Sequence, residues 1–480
     1  MNISVDLAIL APELIVTIGA MALLLFGAIR GEKGIGLVST LAIVVMAIAA
    51  WFVVMPLSSE ARAFGGAFVI DDFARFAKLL ILLGSAVTLL MAQDYFKAQG
   101  IDKFEFPVLV LLATTGMMLM VSASSFIGLY MGIELQSLAL YVLAAFHRDS
   151  LRSTEAGLKY FVLGALSSGM MLYGISLIYG FTGTTDFAAI AHIVTASNVS
   201  VGLIFGIVFL ISGLAFKISA VPFHMWSPDV YEGAPTPITA FFFMSPKVAA
   251  MILFVRAMLG PFPGAFHQWQ QIVVAISVLS MVLGAFAAIG QSNIKRLMAY
   301  SSIGHMGYAL LGLAAGTTQG VEGVLLYMLI YLVTNAGVFV CILAMRRHGE
   351  QVETIADLAG LARTQPKLAF AYSALMFSLA GIPPLAGFFA KFYVFMAAIG
   401  AGLYIPAIIG VLASVVGAFY YLRIVKLIYF DEPAPAFDMG LLGAKLGTIL
   451  VGSGVFSVFF VVGAAPLVAA AANAAHALLP

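Results

Sequence analysis

Fourteen times along this chain an apolar stretch runs for about the twenty residues a helix needs to cross roughly 30 Å of hydrocarbon. The stretches lie near residues 8–29, 35–55, 71–93, 104–122, 123–146, 155–180, 200–222, 236–259, 270–290, 294–315, 320–346, 366–400, 402–430 and 441–466. In lipid a segment must satisfy its own backbone N–H and C=O groups, so such stretches fold as helices. The expected fold is an all-α membrane protein of about fourteen transmembrane helices. Composition agrees, with 62% hydrophobic and 9% charged residues against roughly 25% charged in soluble domains. The 23 basic and 22 acidic residues leave no basic surface for nucleic acid. The N-terminus lacks the positive region of a cleaved signal, so the first helix is expected to be retained. Cys341 is the only cysteine, and no CxxC or HExxH spacing occurs. Neither an iron–sulfur cluster, a disulfide framework nor a transition-metal site is expected in this chain.

Two stretches are interrupted. The run 366–400 is too long for one crossing and contains Gly381-Ile-Pro-Pro384, and the seventh run ends in Lys217-Ile-Ser-Ala-Val-Pro222. Proline removes a backbone donor, so helices 7 and 12 are expected to be broken where protein or water satisfies the freed groups. Loop charges set the orientation. One side receives Arg30, Lys33, Lys97, Lys103, Arg148, Arg152, Lys159, Lys295, Arg296, Arg346, Arg347, Arg363, Lys367, Arg423, Lys426 and Lys445; the other receives Arg62, Arg75, Lys78 and Arg256. The richer side is expected to be cytoplasmic, with both termini outside. Glu155-Ala-Gly-Leu-Lys-Tyr160 is echoed by Glu322-Gly-Val-Leu-Leu-Tyr327, and Ser167-Ser168 by Thr334-Asn335. The offset is five helices, an odd number, which implies two inverted repeats. The expected units are helices 1–3 (1–103), the first repeat of helices 4–8 (104–260), the second of helices 9–13 (261–430), and helix 14 (431–480).

Three basic residues remain, Lys217, Lys247 and Lys391, all inside predicted helices. With Glu134, midway along helix 5, they are the charges that cost most to keep in lipid, and such groups usually mark an ion pathway. A structural ion pair locking two helices is the plainer reading of Glu134. Lys217 is its natural partner, and snorkelling to water is the plainer reading of that lysine. Lys247 lies eleven residues into helix 8, about 16 Å from its start, with no acidic residue near it in sequence. It is the lysine expected to be neutral part of the time. Lys391, in the second half of helix 12, is the candidate exit site. His224 and His305 are either relay members or packed hydrogen-bonding residues. The segment Pro222-Phe-His-Met-Trp-Ser-Pro-Asp-Val-Tyr-Glu-Gly-Ala-Pro-Thr-Pro237 is expected to form a stiff, non-helical turn. Its Asp229 and Glu232 either serve structure or collect protons at the cytoplasmic mouth.

That segment, with Ser245-Pro-Lys247, Ser301-Ser-Ile-Gly-His-Met-Gly-Tyr308 and Gly381-Ile-Pro-Pro-Leu-Ala-Gly-Phe-Phe-Ala-Lys-Phe392, resembles the antiporter-like membrane subunits of bacterial respiratory complex I, the NADH-quinone oxidoreductase. The resemblance covers essentially the whole chain. It implies fourteen helices, inverted repeats, and a line of protonatable groups mapping onto Glu134, Lys217, Lys247 and Lys391. A lysine in helix 12, and a chain that stops after helix 14 without a long lateral helix, favour the subunit N branch among its sisters. The resemblance further implies a hetero-oligomer with other membrane-arm subunits, which would hold the FMN, iron–sulfur clusters and quinone. This chain is expected to bind no cofactor, metal or soluble substrate of its own. A subunit of a multisubunit sodium/proton antiporter is the competing function, sharing fold and Glu–Lys pair. An inert scaffold is the third, disfavoured because it has no reason to keep four charges at mid-membrane.

Overall fold

The computed structural model describes residues 3–55, 60–196, 199–438 and 443–479. Its crossings are α1 (Ala11–Arg30), α2 (Ile35–Val54), α3 (Asp72–Gln99), α4 (Glu105–Val121), α5 (Phe126–Ala144), α6 (Leu151–Thr182), α7 (Val201–Ile218 and Trp226–Gly233), α8 (Thr236–Phe243 and Ser245–Leu259), α9 (Phe266–Ile289), α10 (Ile294–Ala314), α11 (Thr318–Leu343), α12 (Pro366–Ala380 and Ala386–Gly400), α13 (Tyr404–Phe430) and α14 (Ala444–Leu478). Among the described residues, eleven helices are long and apolar enough to span a bilayer unaided. The others are α4, with 17 residues, α10, which carries Lys295, Arg296 and His305, and α12, built of two 15-residue halves. Short helices at Ile3–Ile9 and Phe187–Ala196, too brief to cross, were not expected from the sequence.

Burial sorts the bundle into a centre and a rim. The apolar window of α8 is 100% buried and that of α11 94%, against 17% for α14 and 33% for α1, α2 and α13. Nearly every residue of α10 is also buried. Helices α8, α10 and α11 thus form a protein-lined interior in which charge can sit away from lipid, while the rim helices present apolar faces outward.

The breaks in α7 and α12 have one local design. Ser219 (φ 58) and Gly381 (φ 87) are left-handed caps, and each is followed three residues later by proline, Pro222 and Pro384. The cap returns some end carbonyls to the backbone, as in Ala220 N–H to Ala215 at 2.8 Å and Ile382 N–H to Phe377 at 3.1 Å. A third interruption, unexpected from the sequence, divides α8 at Met244 (φ −90, ψ −97), just before Pro246 and Lys247. Between the breaks, the expected non-helical turn is instead largely helix. Pro228 and Pro237 fall in the first turns of Trp226–Gly233 and Thr236–Phe243, where no intrahelical N–H is needed.

Loop contacts segregate to two ends of the bundle. One end joins Arg152, Lys159, Asp229, Glu232 and Arg296 in ion pairs, with a hairpin of Arg346–Arg347 and Glu350–Gln351 alongside the 431–438 loop. The other end carries the hairpin Ala61–Ala63/Phe68–Ile70 and its bridge to Ala123. The sequence assigns four basic residues to this second end. Only Arg62 lies in the hairpin; Arg75 and Lys78 are in α3 and Arg256 is in α8. The side chain of Lys33, expected at the first end, lies outside the described residues.

Candidate functional site

The four singled-out charges stand at the joints of the fold. Glu134 is half-buried on α5 and accepts a short hydrogen bond from Ser168 of α6. Lys217, on the last turn of the first α7 segment, donates to Ser137 Oγ at 2.6 Å. Ser137 lies three residues beyond Glu134 on α5, hence on the same helix face. The expected direct Glu134–Lys217 ion pair is therefore absent among the described residues: the two face one another across a serine, with the carboxylate close enough to act on the ammonium through its charge. Both side chains are half-buried, at the edge of the chain.

Lys247 is 1% exposed. Its Nζ donates to the Ile218 carbonyl at 2.6 Å, at the C-terminal end of the first α7 segment, and lies 5.9 Å from the Trp226 ring and 5.7 Å from that of Tyr231. A helix C-terminus offers partial negative charge and unfilled carbonyls, which suits an ammonium that has no carboxylate. Lys391 repeats this arrangement in α12. It is 7% exposed and donates to the Ala380 carbonyl at 2.9 Å and to Ser414 Oγ at 2.8 Å, with the Tyr308 ring at 5.1 Å. Gly381 matters here because a Cβ at that position would lie 3.2 Å from Lys391 Nζ.

Hydroxyls and one imidazole fill the space between the two lysines. The Tyr331 hydroxyl is hydrogen-bonded to Ser302 Oγ at 2.7 Å. The Tyr331 ring lies 5.5 Å from that of His305. His305 Nδ1 is bonded to the Tyr327 hydroxyl at 2.5 Å and Nε2 to the Tyr421 hydroxyl at 3.1 Å. Tyr421 also makes a short hydrogen bond with Ser301. A neutral imidazole has one donor and one acceptor nitrogen, so it fits between two hydroxyls with opposite roles. His224 is different: it sits half-buried in the α7 break, and among the described residues its Nδ1 has no side-chain hydrogen-bond partner.

The carboxylates proposed from sequence as proton collectors are engaged. Asp229 accepts from Lys159 at 2.8 Å and Arg296 at 2.6 Å, and Glu232 from Arg152 at 2.7 Å and Arg296 at 3.1 Å. They tie α6, α7 and α10 together. Sequence reasoning also missed two buried pairs. Lys78 meets Glu13 at 2.6 Å, with both side chains at most 2% exposed. Arg256 grips both Asp71 oxygens, at 2.7 and 2.9 Å. The signal for Glu13 was present, an acid near the start of the apolar run 8–29, but it reads as a helix end.

Residues 123–417 match the family model described as NADH:quinone oxidoreductase/Mrp antiporter, transmembrane. The chain is 61% identical over 469 residues, 98% of its length and 97% of the relative's, to NADH-quinone oxidoreductase subunit N of Parvibaculum lavamentivorans. It is 57% identical over 470 residues, 97% and 96% of the two chains, to that of Rhodospirillum rubrum. Among solved structures, a chain of respiratory complex I from Thermus thermophilus superposes with a TM-score of 0.81 at 31% identity, covering 96% of this chain and 99% of that one. A chain of the Mrp complex from Dietzia shares the fold, with a TM-score of 0.86 at 23% identity over 100% and 98% of the two chains. With matched relatives spanning its full fold, the chain belongs to the subunit N family of NADH-quinone oxidoreductase.

Proposed function

We propose that this chain is a proton-translocating subunit in the membrane arm of a bacterial complex I, assembled with other membrane-arm subunits in the inner membrane. NADH:quinone chemistry in those partners, which carry the FMN, iron–sulfur clusters and quinone, drives it. The relay runs Glu134, Lys217, Lys247, His305, Lys391. His224, facing the break in α7, serves as an accessory group. The observation that carries this reading is the two sets of polar groups around the four charges: Glu134 to Lys217 across Ser137, with Lys217 next to Ile218 whose carbonyl holds Lys247 beside Tyr231, and then Tyr331, His305, Tyr308 and Lys391. Helices 4–8 and 9–13 are inverted repeats in this reading, supported by the matching breaks of α7 and α12.

Glu134 and Lys217, the half-buried members of the first set, are where a neighbouring subunit's movement or charge acts. Moving negative charge away from Lys217 weakens its hold on a proton. The released proton passes inward by short steps between hydroxyl, imidazole and amine. Both termini face outward in this orientation, which follows the basic-residue bias.

The test is a double-mutant cycle on purified complex in liposomes. Glu134→Ala and Lys217→Ala each lower proton pumping, Glu134→Asp keeps part of it, and the double variant falls short of additivity by roughly 1 kcal/mol, about fivefold in rate. Additive losses would show that the two residues do not act as a unit. The antiporter alternative is checked in the same liposomes: a sodium gradient that drives proton flux without NADH would favour it.

A further inference from the structure

Arg346 follows α11 at the end of the bundle that holds the Asp229 cluster, and it is only 7% exposed. Among the described residues its guanidinium makes no hydrogen bond or ion pair, and its buried Nε has no partner. Its contact is the Tyr95 ring, whose centroid is 5.0 Å from Cζ. An aromatic ring engages the face of a guanidinium and leaves its in-plane fork of donors free. That fork borders a cavity of about 240 Å³ whose other walls are Met91, Asp94, Leu343, Gly443 and Leu446.

A buried cation with unused donors is costly unless an anion meets it. The neighbouring acids do not fill that role. Asp438 is occupied by the backbone N–H groups of His348 and Gly349, at 3.0 and 2.8 Å. Asp94 is exposed and forms no ion pair with Arg346 among the described residues. A second anion-seeking feature opens on the same cavity: α14 begins at Ala444, and its cap, Gly443, offers no side chain to the first turn. A helix start with free N–H groups favours an anion. The last turn of α11, the last turns of α3 and the first turn of α14 all meet here, at the ends of three crossings, and Met91, Leu343 and Leu446 give the cavity an apolar wall.

We propose that this cavity is a binding site for the phosphate group of an anionic phospholipid, held by the Arg346 fork and the first backbone N–H groups of α14. Basic pockets between membrane helices take lipid headgroups in this way, and a planar guanidinium pairs with phosphate oxygens two at a time.

The test uses the whole purified complex in phosphatidylcholine nanodiscs containing a small fraction of phosphatidylglycerol with a photoactivatable group near its phosphate. Adducts are mapped by mass spectrometry. Wild type is expected to be labelled in segments 91–95 and 443–446. Labelling there falls about tenfold in Arg346→Gln, as for loss of a charge-assisted bidentate contact, and less in Arg346→Lys. Should Arg346→Gln not assemble, Leu446→Trp decides, since it fills the cavity, keeps the arginine and is expected to lose the label. Unchanged labelling in these variants overturns the site. Labelling displaced by inorganic phosphate at constant ionic strength would assign it to a free anion instead. Labelling that appears only after Asp94→Asn would show that Asp94 is the occupant.

Discussion

Glu13 and Lys78 show what burial in lipid demands of single residues. An isolated charge on α1 or α3 would be expelled, and the two persist because each neutralises the other at 2.6 Å. Removing one partner strands the other, so Glu13→Gln should destabilise the chain by roughly 3–5 kcal/mol, whereas Glu13→Gln with Lys78→Met should recover much of that loss. Thermal unfolding of the purified complex, followed by retention of this subunit, checks both values. Lys217, Lys247 and Lys391 could be picked out from sequence because they are the basic residues set deep within their apolar runs, whereas Arg256 and Lys367 sit close to the ends of theirs. Their partners could not be, since the groups that hold them are a serine 80 residues away and backbone carbonyls, neither of which leaves a compositional trace. Asp71 caps the polar first turn of α3 through Ala74 N–H at 2.7 Å, a bond that composition does not reveal.

At the scale of elements, the breaks decide where the lysines can sit. Proline and glycine made those of α7 and α12 visible in sequence. The one in α8 was not visible, although Pro246 lies beside Lys247, because proline in the first turn of a segment is compatible with helix on either side. The two halves of α12 meet at Gly387, where an added Cβ would lie 1.8 Å from the Ser378 carbonyl oxygen. Gly387→Ala must therefore push the halves apart, at an overpacking cost of roughly 1–3 kcal/mol. Because Lys391 holds one half to the other through the Ala380 carbonyl, this substitution is expected to reduce pumping more than it reduces assembly. Proton-to-electron ratio against subunit content in the same membranes separates the two effects, and equal losses would make Gly387 a packing residue alone.

Two populations of charge carry the functional reading: a set of loop ion pairs at one end and a line of polar groups through α5, α7, α8, α10 and α12. The first population fixes which end faces the cytoplasm in our reading. Single cysteines placed in the loop 147–155 should resist impermeant thiol reagents added to intact cells, and labelling from outside would reverse the orientation. The second population carries the central claim, that Lys247 passes protons on and is not a fixed charge. Lys247→Arg tests this most directly, because guanidinium keeps its proton in proteins while preserving the positive charge beside Ile218. With the complex assembled in liposomes, the proton-to-electron ratio of Lys247→Arg should fall nearly as far as that of Lys247→Ala. Pumping at the wild-type ratio and rate would make Lys247 an electrostatic fixture and contradict the relay.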